Sequence, residues 1–580
     1  MIVSTSREPD FAFLREQIVG VDSRFNTPFG ERMMVYCDYT ASGRCLRFVE
    51  NYLQKLQRNY ANTHTEDDIT GRSMTQLLHE AENAIKGSVN AGPDGKIIAV
   101  GTGATGAIDK LQQILGVACP PATNEHLKDV LIQFFGSDRA QEFLDFRESR
   151  APVVFVGPYE HHSNEISWRQ GIAEVVAVEL TDDGDIDLHH LEERLQLPEF
   201  ADRLLIGSFS AASNVTGLRS DVHAIARVLH RHGAIACFDY AACAPYVPID
   251  MNPPADGNGD PSLDAIFVSP HKFLGGPGSS GILVFNKRIY PESLPPTVAA
   301  GGTVDYVSQV DQDFIQDIED REKAGTPGVL QAIKAALAFQ IKDFAAPGRI
   351  AAREHELLER AMDRWTSNSR IEVLGNADMQ QRIGIVSFNV RDPSERYLHP
   401  KFVTALLNDL FGIQSRAGCS CAGPYGHRLL DINLEVSKRY RTCVQDGFGG
   451  LKPGWCRVGF HYAMDDAEAN LVIEAVEFIS EFGHLFMPEY DFHLDTGTWT
   501  HKTHHAEFDS LDLAEAMSLP PCEGSAVAEE DRVTIYESYL DEARALAENL
   551  AKGSSENCTL SGEIGELQFF ALSRESMEKH

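Results

Sequence analysis

The chain has 580 residues, too many for a single hydrophobic core, and its 43% hydrophobic and 23% charged residues are ordinary for a soluble globular protein. A formal charge of −34 argues against non-specific nucleic-acid binding, which needs a basic footprint. No apolar run is long enough to span a bilayer, and the first residues lack the pattern of a secretory signal. The eleven cysteines lack the spacing of a disulfide scaffold, so a reducing, cytoplasmic setting with mostly free thiols is expected.

Along the chain, an apolar run at 97–100 precedes a glycine-rich turn at 101–106, and a helical pattern follows over 108–115. Residues 118–150 open on two prolines and read as a surface insertion with a helix over 125–135. Strand-like runs at 153–156, 204–207, 234–238 and 265–268 alternate with helical patterns such as 222–232, which ends at Gly233. This alternation predicts an α/β domain with a mainly parallel sheet, whose ligands bind at the carboxyl ends of the strands. A helix over 329–344 leads to a hinge at 345–348, and beyond it a strand at 383–389 and a helix over 467–482 predict a second, α+β domain. From about 490 the sequence is polar and acidic, with an amphipathic helix over 531–550. Its Val533, Tyr536, Leu540, Ala543 and Leu550 follow helical spacing and are expected to dock on the protein's own core.

Two strand ends carry the most chemistry. Asp239 closes the 234–238 run, and Lys272 follows Ser269, Pro270 and His271 after the 265–268 run. A lysine that can form a Schiff base and a carboxylate that keeps a pyridine nitrogen protonated are what pyridoxal phosphate requires. The turn containing Gly103, Ala104 and Thr105 lies between a strand and a helix, where free N–H groups suit a phosphate, although the same glycines also suit a plain tight connection. His161 follows one strand and is placed to stack on a flat ring, with a satisfied loop histidine as the plainer reading. Asn214 follows another and suits the ring's phenolic oxygen, or an ordinary asparagine turn. His501, His504 and His505 have no acid–cysteine cluster beside them and read as a solvated loop rather than a metal site.

Nine segments in order resemble the cysteine desulfurase and selenocysteine lyase branch of the class-V aminotransferases, over roughly residues 30–485. They lie at 38–42, 102–106, 160–164, 213–217, 239–243, 269–272, 324–327, 416–421 and 456–457. The resemblance implies a homodimer of pyridoxal-phosphate fold type I, with a mainly parallel seven-stranded sheet in the large domain and a smaller α+β C-terminal domain. On this basis residues 1–50 form an N-terminal segment packing with the small domain, 51–344 the cofactor-binding domain, 345–489 the small domain and 490–580 an acidic extension.

Carried onto this sequence, the resemblance makes Lys272 the cofactor lysine, Asp239 the partner of the pyridine nitrogen and His161 the stacking residue. Gly103, Ala104, Thr105, Ser269 and His271 hold the phosphate, and Asn214 lies near the ring oxygen and the substrate. Arg457 clamps the substrate carboxylate, where a planar fork outperforms an ammonium. Arg416 is a second contact for an anionic substrate. Cys421 is the nucleophile, and its thiolate needs a neighbouring cation such as Arg416. Cys419 is expected to be a bystander, a resolving thiol or half of a strained disulfide being the other readings. Two departures stand out. Ala242 replaces the usual glutamine, and 422–455 is longer and richer in glycine than usual.

The expected activity is removal of sulfur or selenium from L-cysteine or L-selenocysteine, giving alanine and a persulfide on Cys421, with a sulfur-acceptor protein as a possible partner and neither nucleic acid nor membrane involved. Other readings are a C–S lyase, aminotransferase or epimerase in which Cys421 is not catalytic, or a non-catalytic scaffold.

Overall fold

The computed structural model describes residues 10–63, 67–101, 103–376, 381–504, 527–553 and 556–577. The chain divides into two compact units, one of Ala41–Ile350 and the other of Met1–Thr40 with Ala351–His580. No described helix is long and apolar enough to cross a membrane.

The Ala41–Ile350 unit is built on a seven-stranded sheet. Its strands are β1 (Gly95–Val100), β2 (Val153–Val156), β3 (Glu174–Ala177), β4 (Leu205–Ser210), β5 (Ile235–Asp239), β6 (Ala265–Val268) and β7 (Gly281–Asn286). The spatial order is β1-β7-β6-β5-β4-β2-β3, and only β7 runs antiparallel to its neighbours. Strands β2, β4 and β6 are buried along their whole length, as continuous apolar runs covered on both faces should be. Ser210, Asp239 and Phe267 lie level across β4, β5 and β6. The loops that leave β1, β2, β4, β5 and β6 therefore emerge on one edge of the sheet, where a parallel sheet binds its ligands.

Helix α1 (Gly103–Ile114) follows β1 directly and begins five residues earlier than its hydrophobic period suggests, because its first turn is the glycine-rich segment itself. The insertion is a helical hairpin, α2 (Pro121–Phe135) and α3 (Ser137–Ser149), where only the first helix is legible in the sequence. It exposes Leu127, Val130, Phe134, Phe135, Phe143 and Phe146. Helix α4 (Val222–Arg231) is capped by the Asp221 carboxylate, which accepts from the Ala224 N–H at 3.0 Å. Helix α5 (Val329–Ala345) stops where Ala346 turns to φ +62° before Pro347.

The other unit centres on a four-stranded sheet of β8 (Ile371–Val373), β9 (Ile385–Val390), β10 (Arg416–Gly418) and β11 (Trp455–Gly459), in the order β8-β9-β11-β10. The short strand Val35–Tyr36 pairs in parallel with Ile413–Gln414, which brings the N-terminal segment into this unit. Helices α6 (Pro400–Phe411), α7 (Asp466–Phe482) and α8 (Glu529–Leu550) share its core with Met33, Val35, Phe570 and Leu572. Helix α7 opens on a capping box made by Asp465 and Glu468. Helix α8 docks on the core as expected, through Tyr536, Leu540 and Ala543 with Leu550 partly buried beside them, but Tyr539 and Ala547 join the buried face and Val533 does not. Tyr536, Tyr539, Leu540, Ala543 and Ala547 are buried, whereas Val533 is 39% exposed. Among the described residues from 490 onward, Tyr490, Phe492, Trp499 and Leu567 also belong to this core.

Leu540→Ala should destabilise this unit by about 3 kcal/mol, read as a lower denaturant midpoint, because it opens a cavity in a shared core. Phe134→Ser, on the exposed hairpin, should change stability by no more than about 0.5 kcal/mol.

Candidate active site

Asp239 ends β5 with 4% of its surface exposed and accepts from the Ala241 N–H at 2.8 Å. Burial pushes its carboxyl up, while the Ala241 N–H and the charge of Lys272 pull it back down. Lys272 lies in the single 3-10 turn Pro270–Lys272 that follows β6. That turn is fixed by close backbone contact: a Cβ on Gly276 would meet the Pro270 carbonyl oxygen at 1.8 Å.

On the neighbouring loop, Gly103 has φ +60°, and a Cβ there would lie 2.8 Å from Ser269 Oγ and 3.4 Å from the His271 ring. Ser269 Oγ accepts from the Ala104 N–H at 2.8 Å, tying the N-terminus of α1 to the lysine turn. Burial, and after it the Lys272 charge, push the His271 ring down to about 4, so it is neutral at pH 7. Thr105 Oγ1 and Ser163 Oγ are 2.7 Å apart, and Ser163 Oγ is 3.1 Å from His161 Nδ1. Nδ1 also accepts from the Ser163 N–H at 3.2 Å, which leaves the proton of the neutral ring on Nε2. Asn214 is 8% exposed, in a turn where Ser213 Oγ accepts from the Val215 and Thr216 N–H groups.

This donor set suits pyridoxal phosphate. The space that any side chain on Gly103 would fill lies at a helix N-terminus beside a serine and a neutral histidine, an arrangement fit for an anion. Asp239, raised by burial, suits a cationic ring nitrogen, and Lys272 supplies the amine. Ala242, where a glutamine is usual, has no polar side chain to add.

Glu160 is a member of this group that the sequence did not single out. Its carboxyl accepts from the Gly157 and Ser210 N–H groups and contacts Ser210 Oγ at 2.6 Å and Asn164 Nδ2 at 2.7 Å. Burial pushes it up to about 8, with a contribution from the negative charge of Asp239. Its motif neighbour His161 drew attention to the segment, but burial of the glutamate has no signature in composition.

The other unit gathers Arg457, Arg416 and Cys421. Arg416 on β10 and Arg457 on β11 are directly opposite in register. Arg457 Nη2 donates to Asp38 Oδ1 at 2.9 Å, and Arg416 Nε donates to Asp38 Oδ2 at 3.0 Å. Burial lowers the Arg457 guanidinium, and Arg416 adds to that effect, while Asp38 and Cys421 oppose it. Cys421 is exposed, and both it and Ser420 adopt left-handed backbone, at φ +57° and +50°. None of the ten described cysteines forms a disulfide, so Cys419 and Cys421 are not bridged. Asp38 belongs to a recognised segment, but its pairing with two arginines far along the chain is not legible there.

One expectation needs correcting. His501 is not in a solvated loop but ends the strand Thr498–His501, paired with Tyr490–His493, with its ring edge-on to Phe29 and Tyr490. Its hairpin register places it against aromatic residues, a tertiary effect that a run of polar residues hides. His505 lies outside the described residues.

The family described as Aminotransferase class-V matches residues 149–472. A probable cysteine desulfurase of Streptomyces coelicolor is 25% identical over 457 residues, covering 77% of this chain and 93% of the relative. A probable cysteine desulfurase of Halalkalibacterium halodurans is 32% identical over 276 residues, 47% of this chain and 62% of its own. The apo cysteine desulfurase of Thermococcus onnurineus NA1 has a TM-score of 0.59 at 21% identity, covering 77% of this chain and 94% of that one, and shares the fold. The chain therefore belongs to the class-V aminotransferase family and is a pyridoxal-phosphate-dependent enzyme of fold type I.

Proposed function

We propose that this enzyme is a cysteine desulfurase, which takes sulfur from L-cysteine, or selenium from L-selenocysteine, and leaves alanine and a persulfide on Cys421. The observation that carries the reading is Cys421, an exposed thiol in left-handed backbone within electrostatic reach of the buried Arg457. Relatives named probable cysteine desulfurase support it.

Bound pyridoxal phosphate supplies an electron sink that acidifies the substrate Cα–H. Lys272 would anchor the cofactor through its amine, and the same amine would carry a proton to and from the substrate Cα. Asp239 would stabilise a positive ring nitrogen, His161 would stack on the ring, and Asn214 would bond its phenolic oxygen. Gly103, Ala104, Thr105, Ser269 and His271 would hold the phosphate. Arg457 takes the substrate carboxylate through its planar fork, with Arg416 beside it. The Cys421 thiolate then attacks the substrate sulfur. An S–S bond forms, the C–S bond breaks, and the electron pair left on the carbon framework is taken up by a proton to give alanine. The persulfide passes to a sulfur-acceptor protein, and the enzyme works as a homodimer in the cytoplasm.

Two measurements test the reading. Borohydride treatment of the purified holoenzyme should bleach its visible absorbance and fix the cofactor to Lys272, and Lys272→Ala should abolish that labelling. Cys421→Ala should keep the absorbance and lose alanine and sulfide formation from L-cysteine. Unchanged turnover in Cys421→Ala would overturn the desulfurase assignment in favour of another reaction on the same cofactor.

A further inference from the structure

Two arginines that face one anionic substrate raise the question of how much positive charge the substrate meets. Arg416 and Arg457 stand opposite each other across β10 and β11, and both donate to the two oxygens of the single carboxylate of Asp38. Arg457 is buried and Asp38 half-buried, with side chains 4% and 14% exposed, whereas the Arg416 side chain is 49% exposed. The Arg457 bond is the shielded one of the two, and Arg416 reaches Asp38 from the solvent side. A guanidinium stays charged in a protein, so these three side chains together carry one net positive charge.

From this geometry we infer that Asp38 is a positioning and specificity residue, which matches the arginine pair to an amino acid with one anionic group and disfavours one with two. The inference rests on Arg457 as the carboxylate clamp and deepens that reading. With Asp38 in place, a single α-carboxylate meets Arg457 in an orientation that the Oδ1 bond fixes. A second anion on the side chain would need Arg416, whose Nε is already committed to Oδ2. It would also approach the negative charge of Asp38 itself. Replacing that carboxylate by a neutral group removes the negative charge that the two guanidinium groups share, and a dianionic amino acid can supply it where a monoanionic one cannot. A charge-assisted hydrogen bond is worth enough for this exchange to show as an order of magnitude in binding.

The test uses the holoenzyme and two amino acids that lack the reactive sulfur, L-alanine with one anionic group and L-aspartate with two. Dissociation constants come from the change in cofactor absorbance on titration, so the result does not depend on sulfur chemistry. In the unaltered protein L-alanine should bind more tightly than L-aspartate. In Asp38→Asn the ratio of the two constants should shift toward L-aspartate by about tenfold or more. Asp38→Glu should restore most of the original preference, and adding Arg416→Ala to Asp38→Asn should remove the gain for L-aspartate, since Arg416 is the charge set loose. Asp38→Ser serves as a second neutral variant should the asparagine fold poorly, with cofactor absorbance and thermal unfolding as the check. An unchanged ratio in a folded, cofactor-loaded Asp38 variant would overturn the inference. Arg457→Ala separates the underlying reading: if it leaves both constants unchanged, Arg457 is not the clamp, whatever Asp38 does.

Discussion

A carboxylate buried at the end of a strand governs the larger unit. Asp239 is tolerated there because a backbone N–H bonds it and Lys272 faces it from the next loop. The parallel pairing of β5 with β6 brings the Lys272 turn beside Asp239, and that turn is tight enough for Gly276 to pass under the Pro270 carbonyl. The charge of Asp239 also acts on Glu160, which lies in the same buried region. With its carboxyl near 8, Glu160 is largely protonated at neutral pH and adds little negative charge beside Asp239. Two acids in one buried region thus take different roles: one carries charge, and the other cross-links β4 to the loop that bears His161.

The smaller unit reverses that electrostatic balance. There the local excess is positive, with the buried Arg457 and the exposed Arg416 across one ladder and Asp38 between them. The cysteine loop begins straight after β10, and its two consecutive left-handed residues, neither a glycine, each cost about 1–3 kcal/mol. The surrounding residues hold the loop in that shape, and the thiol stays exposed.

Strand ends and glycine turns were legible in the sequence because they are local. Asp239, Lys272 and the 101–106 turn announce themselves by an apolar run stopping at a polar residue, and the sheet order places them on one edge. Contacts between distant segments were not legible. Asp38 meets Arg416 and Arg457 across separations of 378 and 419 residues. The second helix of the hairpin lacks a clean apolar period, since Phe143 and Phe146 face outward. In α8 the central residues of the expected stripe, Tyr536, Leu540 and Ala543, are buried, while its edge shifts: Tyr539 also turns inward, where its ring lies beside Met33 and Arg32, and Val533 stays exposed. Periodicity fixes a helix, but the shape of its neighbour fixes which stripe is buried.

The strand Val35–Tyr36 bears on how the protein is made. Its partner Ile413–Gln414 and the helix that covers the same core, α8, are synthesised long after it. At about 5–20 residues per second, Asp38 waits roughly 20–75 s for Arg416 to leave the ribosome, a separation of 378 residues. The Ala41–Ile350 unit is contiguous and can condense during that interval. The unit carrying Cys421 cannot, because the strand Val35–Tyr36 is separated from its partner strand and from α8 by the whole of the other unit. Its apolar N-terminal segment stays without its native partners for most of translation, which makes this unit the one most dependent on protection from aggregation in the cell.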